Sequence, residues 1–178
     1  MYYDYQKYWV EMGKKPNPEM NEYHKQQEVA LGKTLHDICF DFNSVLEFGA
    51  GWGRITRLIN KYYNLAYYTA VDISKERLYQ INGVNTVVGD ILNDNHLMKH
   101  DLVLAVELLL HIPPDKVKKA IDNMKSLANK YVISIDYYPN DKTKKLMNHN
   151  FIHDYPELYG NAKQIKINNK HSLFLWKV

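Results

Sequence analysis

Val45-Leu46-Glu47-Phe48-Gly49-Ala50-Gly51-Trp52-Gly53-Arg54 sets an apolar run holding one acid directly against three alternating glycines. The apolar part reads as a buried strand. Residues 49, 51 and 53 carry no Cβ, so the chain can turn tightly there and bring main-chain N–H groups close to a bound molecule. Ile55, Leu58, Ile59 and Tyr62 follow at helical spacing, which predicts a helix whose positive end faces that molecule. Strand, glycine turn and helix in succession predict an α/β fold with its site at the carboxyl edge of a sheet.

What the turn lacks narrows the ligand. A dinucleotide fingerprint starting at Gly49 needs its last glycine at 54, where Arg54 stands, so a nicotinamide-dependent oxidoreductase is disfavoured. A phosphate-binding loop with its Gly-Lys-Ser/Thr ending is not expected either.

Three more runs follow in order. Ala66–Ser74 reads as a second strand ending in Asp72, an acid able to accept two ribose hydroxyls as a bidentate carboxylate. Thr86–Ile91 reads as a third strand ending at Asp90, with Ile73 and Ile91 as apolar lips. Asp101-Leu102-Val103-Leu104-Ala105-Val106-Glu107 reads as a fourth strand, followed by Leu108-Leu109-Leu110-His111-Ile112-Pro113-Pro114. In an open parallel sheet, Glu47, Asp72, Asp90 and Glu107 should converge on one crevice.

Together these runs, over roughly residues 40 to 137, resemble the class I methyltransferases that use S-adenosylmethionine, whose first motif has the form E-x-G-x-G-x-G. The resemblance implies a Rossmann-like fold: a doubly wound, seven-stranded, mostly parallel sheet with an antiparallel C-terminal hairpin. It implies S-adenosylmethionine as cofactor and S-adenosylhomocysteine as product. It also assigns roles: the loop of Phe48, Gly49, Gly51 and Gly53 wraps the methionine and ribose portion, and Glu47 contacts the amino-acid end. Asp72 takes the ribose, Asp90 takes the adenine amino group between Ile73 and Ile91, and Glu107 borders the cofactor. Arg54 is placed to pair with the cofactor carboxylate.

The remaining elements fit that scheme. Residues from about Met20 to Ile38 predict a helix against the sheet. Pro113-Pro114-Asp115 opens another, with Val117, Ile121, Met124 and Ala128 on one face. Tyr131–Asp136 reads as strand five. Ala162–Val178 gives two alternating runs about Asn168-Asn169-Lys170, a hairpin signal.

A length of 178 residues, 46% apolar and 24% charged, suits one compact domain over residues 1–178. A net charge of +3 gives no ground by itself for a nucleic-acid partner. Neither a signal core nor a membrane-length apolar run is present, which predicts a cytoplasmic protein. Cys39 is the sole cysteine, so it reads as a small buried hydrophobe, and the scattered histidines predict no metal site. Oligomeric state has no sequence signal.

Fewer residues speak for the acceptor. In-line methyl transfer needs alignment and exclusion of water, and a base only where a proton must leave. His111, Asp136 and His153 are the candidates, His153 within the 137–161 segment expected to bind the acceptor. Residues 1–20, rich in Tyr and Trp and too polar for a core element, read as a cofactor lid or a docking strap. So short a chain predicts a small-molecule acceptor. The alternatives are a protein or RNA methyltransferase, favoured by Lys116, Lys118, Lys119, Lys125, Lys142, Lys144 and Lys145, and a cofactor-binding adaptor without catalysis.

Overall fold

The central strands are continuous runs of Val, Leu, Ile and Ala because both of their faces are covered. In a computed structural model, which describes residues 3–39, 41–94, 96–139 and 146–178, seven strands form one sheet. They are β1 (Ser44–Phe48), β2 (Tyr67–Asp72), β3 (Asn85–Val88), β4 (His100–Val106), β5 (Ala128–Tyr137), β6 (Lys163–Lys166) and β7 (His171–Lys177), in the order β3-β2-β1-β4-β5-β7-β6. Strands β1 to β5 run parallel, and β7 pairs antiparallel to both β5 and β6. The doubly wound α/β sheet with its antiparallel hairpin is therefore as the sequence predicts.

Alternation along β4 divides the core. Leu102 and Leu104 join Val45, Ala70 and Ile133 on one face, under α2 (Glu22–Asp37) and α3 (Arg54–Tyr62). Val103 and Ala105 join Leu46, Phe48, Val71 and Phe174 on the other, under α5 (Val117–Leu127) and α6 (Tyr155–Tyr159). Helix α5 starts at Val117, after the prolines rather than at them, and Ala128 belongs to β5. The Gly32-Lys33-Thr34 tripeptide has the residue types that end a phosphate-binding loop. It lies inside α2, where Thr34 Oγ1 donates to the Ala30 carbonyl at 3.0 Å, so no such loop exists there.

The N-terminal segment departs from its polar reading. Tyr5–Gly13 is a helix, α1, begun by Asp4, whose carboxylate accepts from the Lys7 N–H. Tyr5 is buried in the same core cluster as Phe48 and Ile91. The signals were an Asp at the cap and Tyr5, Tyr8, Trp9 and Met12 at helical spacing, masked by Gln6, Lys7 and Glu11 on the outer face. A short helix, α4 (Lys75–Leu78), capped by Ser74, follows β2.

Candidate active site

At the carboxyl ends of β1, β2, β3 and β4 the chain encloses a cavity of about 660 Å³, roofed by α1 and the Lys15–Pro18 stretch that follows it. The glycine loop forms one wall. Gly49, Gly51 and Gly53 all have positive φ, at 70°, 55° and 84°. A Cβ on Gly53 would stand 2.9 Å from the Ile81 side chain, whereas one on Gly51 would meet no protein atom within 4 Å and would enter the cavity itself. Gly53 is thus demanded by packing against Ile81, and Gly51 by the backbone and the space its ligand needs.

The carboxylates converge as expected, yet each is already bonded. Glu47 is 2% exposed, and its Oε2 accepts from Thr56 Oγ1 and Tyr68 OH, both at 2.6 Å. It braces α3 to β2 beneath the glycine loop, and burial pushes its pKa up to about 7 against the pull of those two donors. Asp72 accepts the Gly51 N–H on one oxygen and the Ser74 N–H on the other, both at 2.8 Å. That fixes the loop to the end of β2, and each oxygen keeps a second lone-pair direction. Burial raises the Asp72 pKa while the two N–H groups lower it.

Asp90 is engaged from α1. Its Oδ2 accepts from Tyr5 OH at 2.5 Å, Gln6 Nε2 at 2.7 Å and Asn93 Nδ2 at 3.0 Å, while Oδ1 takes the Leu92 N–H. Nothing in the sequence linked residues 5 and 6 to residue 90. Ile73 and Ile91 flank this end of the cavity, and Phe48 lies behind the loop.

Arg54 does not stand free for a carboxylate ligand. Its Nη1 donates to Glu28 at 3.3 Å and its Nη2 to the Gln27 side-chain carbonyl at 3.1 Å. Gln27, wholly buried, donates in turn to Glu107 Oε1 at 2.8 Å. Glu107 has a φ of 56°, the single non-glycine positive φ among the described residues. Holding a side-chain-bearing residue there costs on the order of 1–2 kcal/mol, strain of a kind that collects at functional sites. His171 Nε2 lies 3.5 Å from the same Oε1, and burial pushes the Glu107 pKa up to about 7, opposed by Arg54 and Gln27.

The three acceptor-side candidates separate. His111 lines the cavity, its ring 4.3 Å from that of Trp9. Its Nδ1 faces the His149 carbonyl at 3.1 Å, and a carbonyl only accepts, so Nδ1 carries the proton and Nε2 keeps a lone pair. Burial pushes its pKa down to about 4, so the ring is neutral at neutral pH. His153 and Asp136 are not on the cavity wall. His153 is 4% exposed and donates from Nε2 to the Leu109 carbonyl at 3.0 Å. Asp136 is fully buried, its Oδ1 accepts the Leu110 N–H at 3.2 Å, and burial holds its pKa well above the usual carboxylate range. Both serve the turn Leu109–His111 that carries His111 into place. Of the lysines noted in the sequence, Lys142, Lys144 and Lys145 lie outside the described residues, as does residues 140–145 of the expected acceptor segment.

A donor bearing an adenosine and an amino acid fits this cavity. Its volume is that of a small-molecule site, the space beyond Gly51 is open, and acids stand at both ends. A methyltransferase-domain family model matches residues 45–130. No protein of curated function matches the sequence. Among solved structures, the N-methyltransferase NodS of Bradyrhizobium japonicum with S-adenosylhomocysteine superposes with a TM-score of 0.77 at 14% identity, covering 98% of each chain. The magnesium protoporphyrin IX methyltransferase of Synechocystis with S-adenosylmethionine gives 0.71 at 13% identity, covering 99% of this chain and 98% of that one. A methyltransferase of Clostridium acetobutylicum gives 0.68 at 13% identity, covering 86% and 91%.

Fold and glycine loop together are those of the class I methyltransferase fold. Residues 45–130 thus match a methyltransferase domain, and the fold is shared with solved methyltransferases that hold S-adenosylmethionine or S-adenosylhomocysteine. Among the described residues no helix is long and apolar enough to cross a membrane, and no three His, Cys, Asp or Glu side chains are grouped to hold a metal.

Proposed function

We propose that the protein methylates a small molecule. The observation that carries this reading is the roof: α1 and the residues after it close over the donor cavity, and Trp9, His111 and His149 pack together on its wall with ring centroids 4.3 to 6.1 Å apart. A roofed site excludes water from the transfer and admits a compact acceptor in preference to a folded macromolecule. The cited Synechocystis neighbour is named for a small-molecule substrate, in keeping with the reading.

In this scheme the sulfonium supplies an activated methyl, and the protein supplies position. The Gly49–Gly53 main chain and the Arg54-supported wall hold the amino-acid end, with Glu47 bracing the loop from beneath. Asp72 offers its free lone pairs to the ribose, and Ile73 and Ile91 clasp the adenine. Asp90 receives the adenine amino group, for which the α1 donors have to give way. His111, neutral and with Nε2 unprotonated, offers a lone pair on the cavity wall. The first 20 residues then act as lid, all on a single domain spanning residues 1–178.

Calorimetric titration with S-adenosylmethionine, S-adenosylhomocysteine and NAD tests the donor half. Micromolar binding of the first two alone is expected, lost in Asp72→Ala. A screen of metabolites and of protein and RNA pools with methyl-labelled donor tests the acceptor half, and incorporation into a macromolecule alone would overturn it.

A further inference from the structure

A second chamber of about 600 Å³ adjoins the donor cavity and shares Tyr23, Glu107, Leu110 and Asn150 with it. It is bordered by the N-terminal turn of α2, the end of β5 and the turn between β6 and β7. Tyr23 and Tyr137 face it together with Leu110 and Leu146, so its walls suit an apolar or aromatic body. Among the described residues its charged lining is Glu22, Glu107 and Lys170, two acids against one base. His171, also on the wall, is pushed by burial down to about 4 and adds no charge at neutral pH. Its ring stacks on that of Tyr23 at 5.1 Å and 6°.

Among the described charged residues Glu107 alone borders both spaces. Its left-handed backbone turns the carboxylate out of the line of β4 while its N–H remains bonded to the Ile135 carbonyl at 2.7 Å. Gln27 from α2 grips Oε1, and Arg54 from α3 holds Gln27. A strained residue held this firmly between a methyl-donor cavity and an acidic aromatic chamber is placed to receive a cation.

Building on the methyltransferase reading above, we propose that the second chamber seats the acceptor and that Glu107 selects it, pairing with the protonated nitrogen of a small amine that has an apolar or aromatic body. The acceptor ammonium passes one proton to the Glu107 carboxylate. The freed nitrogen lone pair forms the N–C bond, and the C–S bond breaks with its electron pair left on sulfur. The methylated product leaves as the ammonium, and Glu107 returns its proton to water. A carboxyl whose burial sets its pKa near 7 is matched to that exchange at neutral pH. The groups facing it are Gln27 on α2, Arg54 on α3, Asp136 on β5, His171 on β7 and Tyr23.

The test uses the full chain saturated with S-adenosylhomocysteine and three probes of one shape: phenethylamine, phenethyl alcohol and phenylacetate. Saturation-transfer NMR titrations read their affinities. The amine should bind the wild type about tenfold or more tightly than the alcohol or the acid. Glu107→Gln, kept saturated with S-adenosylhomocysteine, should remove that preference. Equal binding of the three probes by wild type overturns the proposal without any variant having to fold. So does an undiminished amine preference in Glu107→Gln, and so does loss of S-adenosylhomocysteine affinity there, which would return Glu107 to the donor. A wild type that binds no S-adenosylhomocysteine overturns the donor reading instead, before any probe is added.

Discussion

The buried side-chain amide of Gln27 donates to the Glu107 carboxylate at 2.8 Å across 80 positions of sequence. Because the Gln27 carbonyl also accepts from Arg54, the amide has one orientation only, with nitrogen toward Glu107. Gln27→Leu leaves a guanidinium and a carboxylate each short of a partner. Stability should fall by about 2–4 kcal/mol, read from denaturant unfolding. A loss under about 0.5 kcal/mol would show that water replaces the amide without cost.

Glu47 sets a pH signature. Its folded pKa, near 7, lies above its ordinary value, so the folded state binds the proton more tightly than the unfolded chain does. The stabilisation is complete below pH 4.5 and is lost as pH rises to 7. Glu47→Gln, which cannot ionise, should therefore gain on the wild type progressively across that window, by on the order of 3 kcal/mol at pH 8. A difference in unfolding free energy that stays flat with pH would remove Glu47 as its source.

Tyr5 and the adenine of the donor compete for one oxygen of Asp90. Tyr5→Phe keeps the buried ring and deletes the competing hydroxyl. S-adenosylhomocysteine should bind about threefold to thirtyfold more tightly, the range set by one charged hydrogen bond discounted for the remaining Gln6 and Asn93 donors. Weaker binding in calorimetry would mean that the hydroxyl supports the ligand instead of opposing it.

His153 and His111 should part company under substitution. His153→Ala removes a buried ring and the donor to the Leu109 carbonyl, so unfolding should become easier by about 1–3 kcal/mol with cofactor affinity unchanged. His111→Ala should leave the melting temperature within a few degrees and lower turnover of any acceptor that the protein methylates. A turnover loss for His153→Ala at unchanged melting temperature would reverse these roles.

Gly51→Ala isolates the loop. No atom opposes the new methyl, so any effect comes from the positive φ and from the ligand space. About 1 kcal/mol of stability should go, with S-adenosylhomocysteine affinity falling at least tenfold. Wild-type affinity would place the ligand away from Gly51.

The parallel strands and the glycine loop were legible because local patterns determine them: runs of branched apolar residues, and positive φ where only glycine is easy. Glu47, Asp72, Asp90 and Glu107 were legible as a group because strand ends are. Their hydrogen-bond partners were not, since Tyr5 with Asp90, Gln27 with Glu107 and Tyr68 with Glu47 meet only through the tertiary fold. Helix α1 escaped notice because three of its residues facing solvent diluted its apolar spacing. Asp136 and His153 looked chemical in sequence because one ends strand five and the other lies in the segment after it, and the fold shows them bonded to the backbone that carries Leu109 and Leu110.

The two chambers touch through Glu107 yet are built from different parts of the chain. The donor side is the product of the first four strand ends, whose geometry is tied into the core. The second chamber borrows the start of α2 and the β6–β7 turn, which carry little of the sheet's packing. Such a division lets one half drift while the other is held: a lineage can change what it methylates by rewriting a surface turn, and keep the same donor throughout. Transplanting the 166–171 turn is accordingly the route by which a designer would retarget this scaffold.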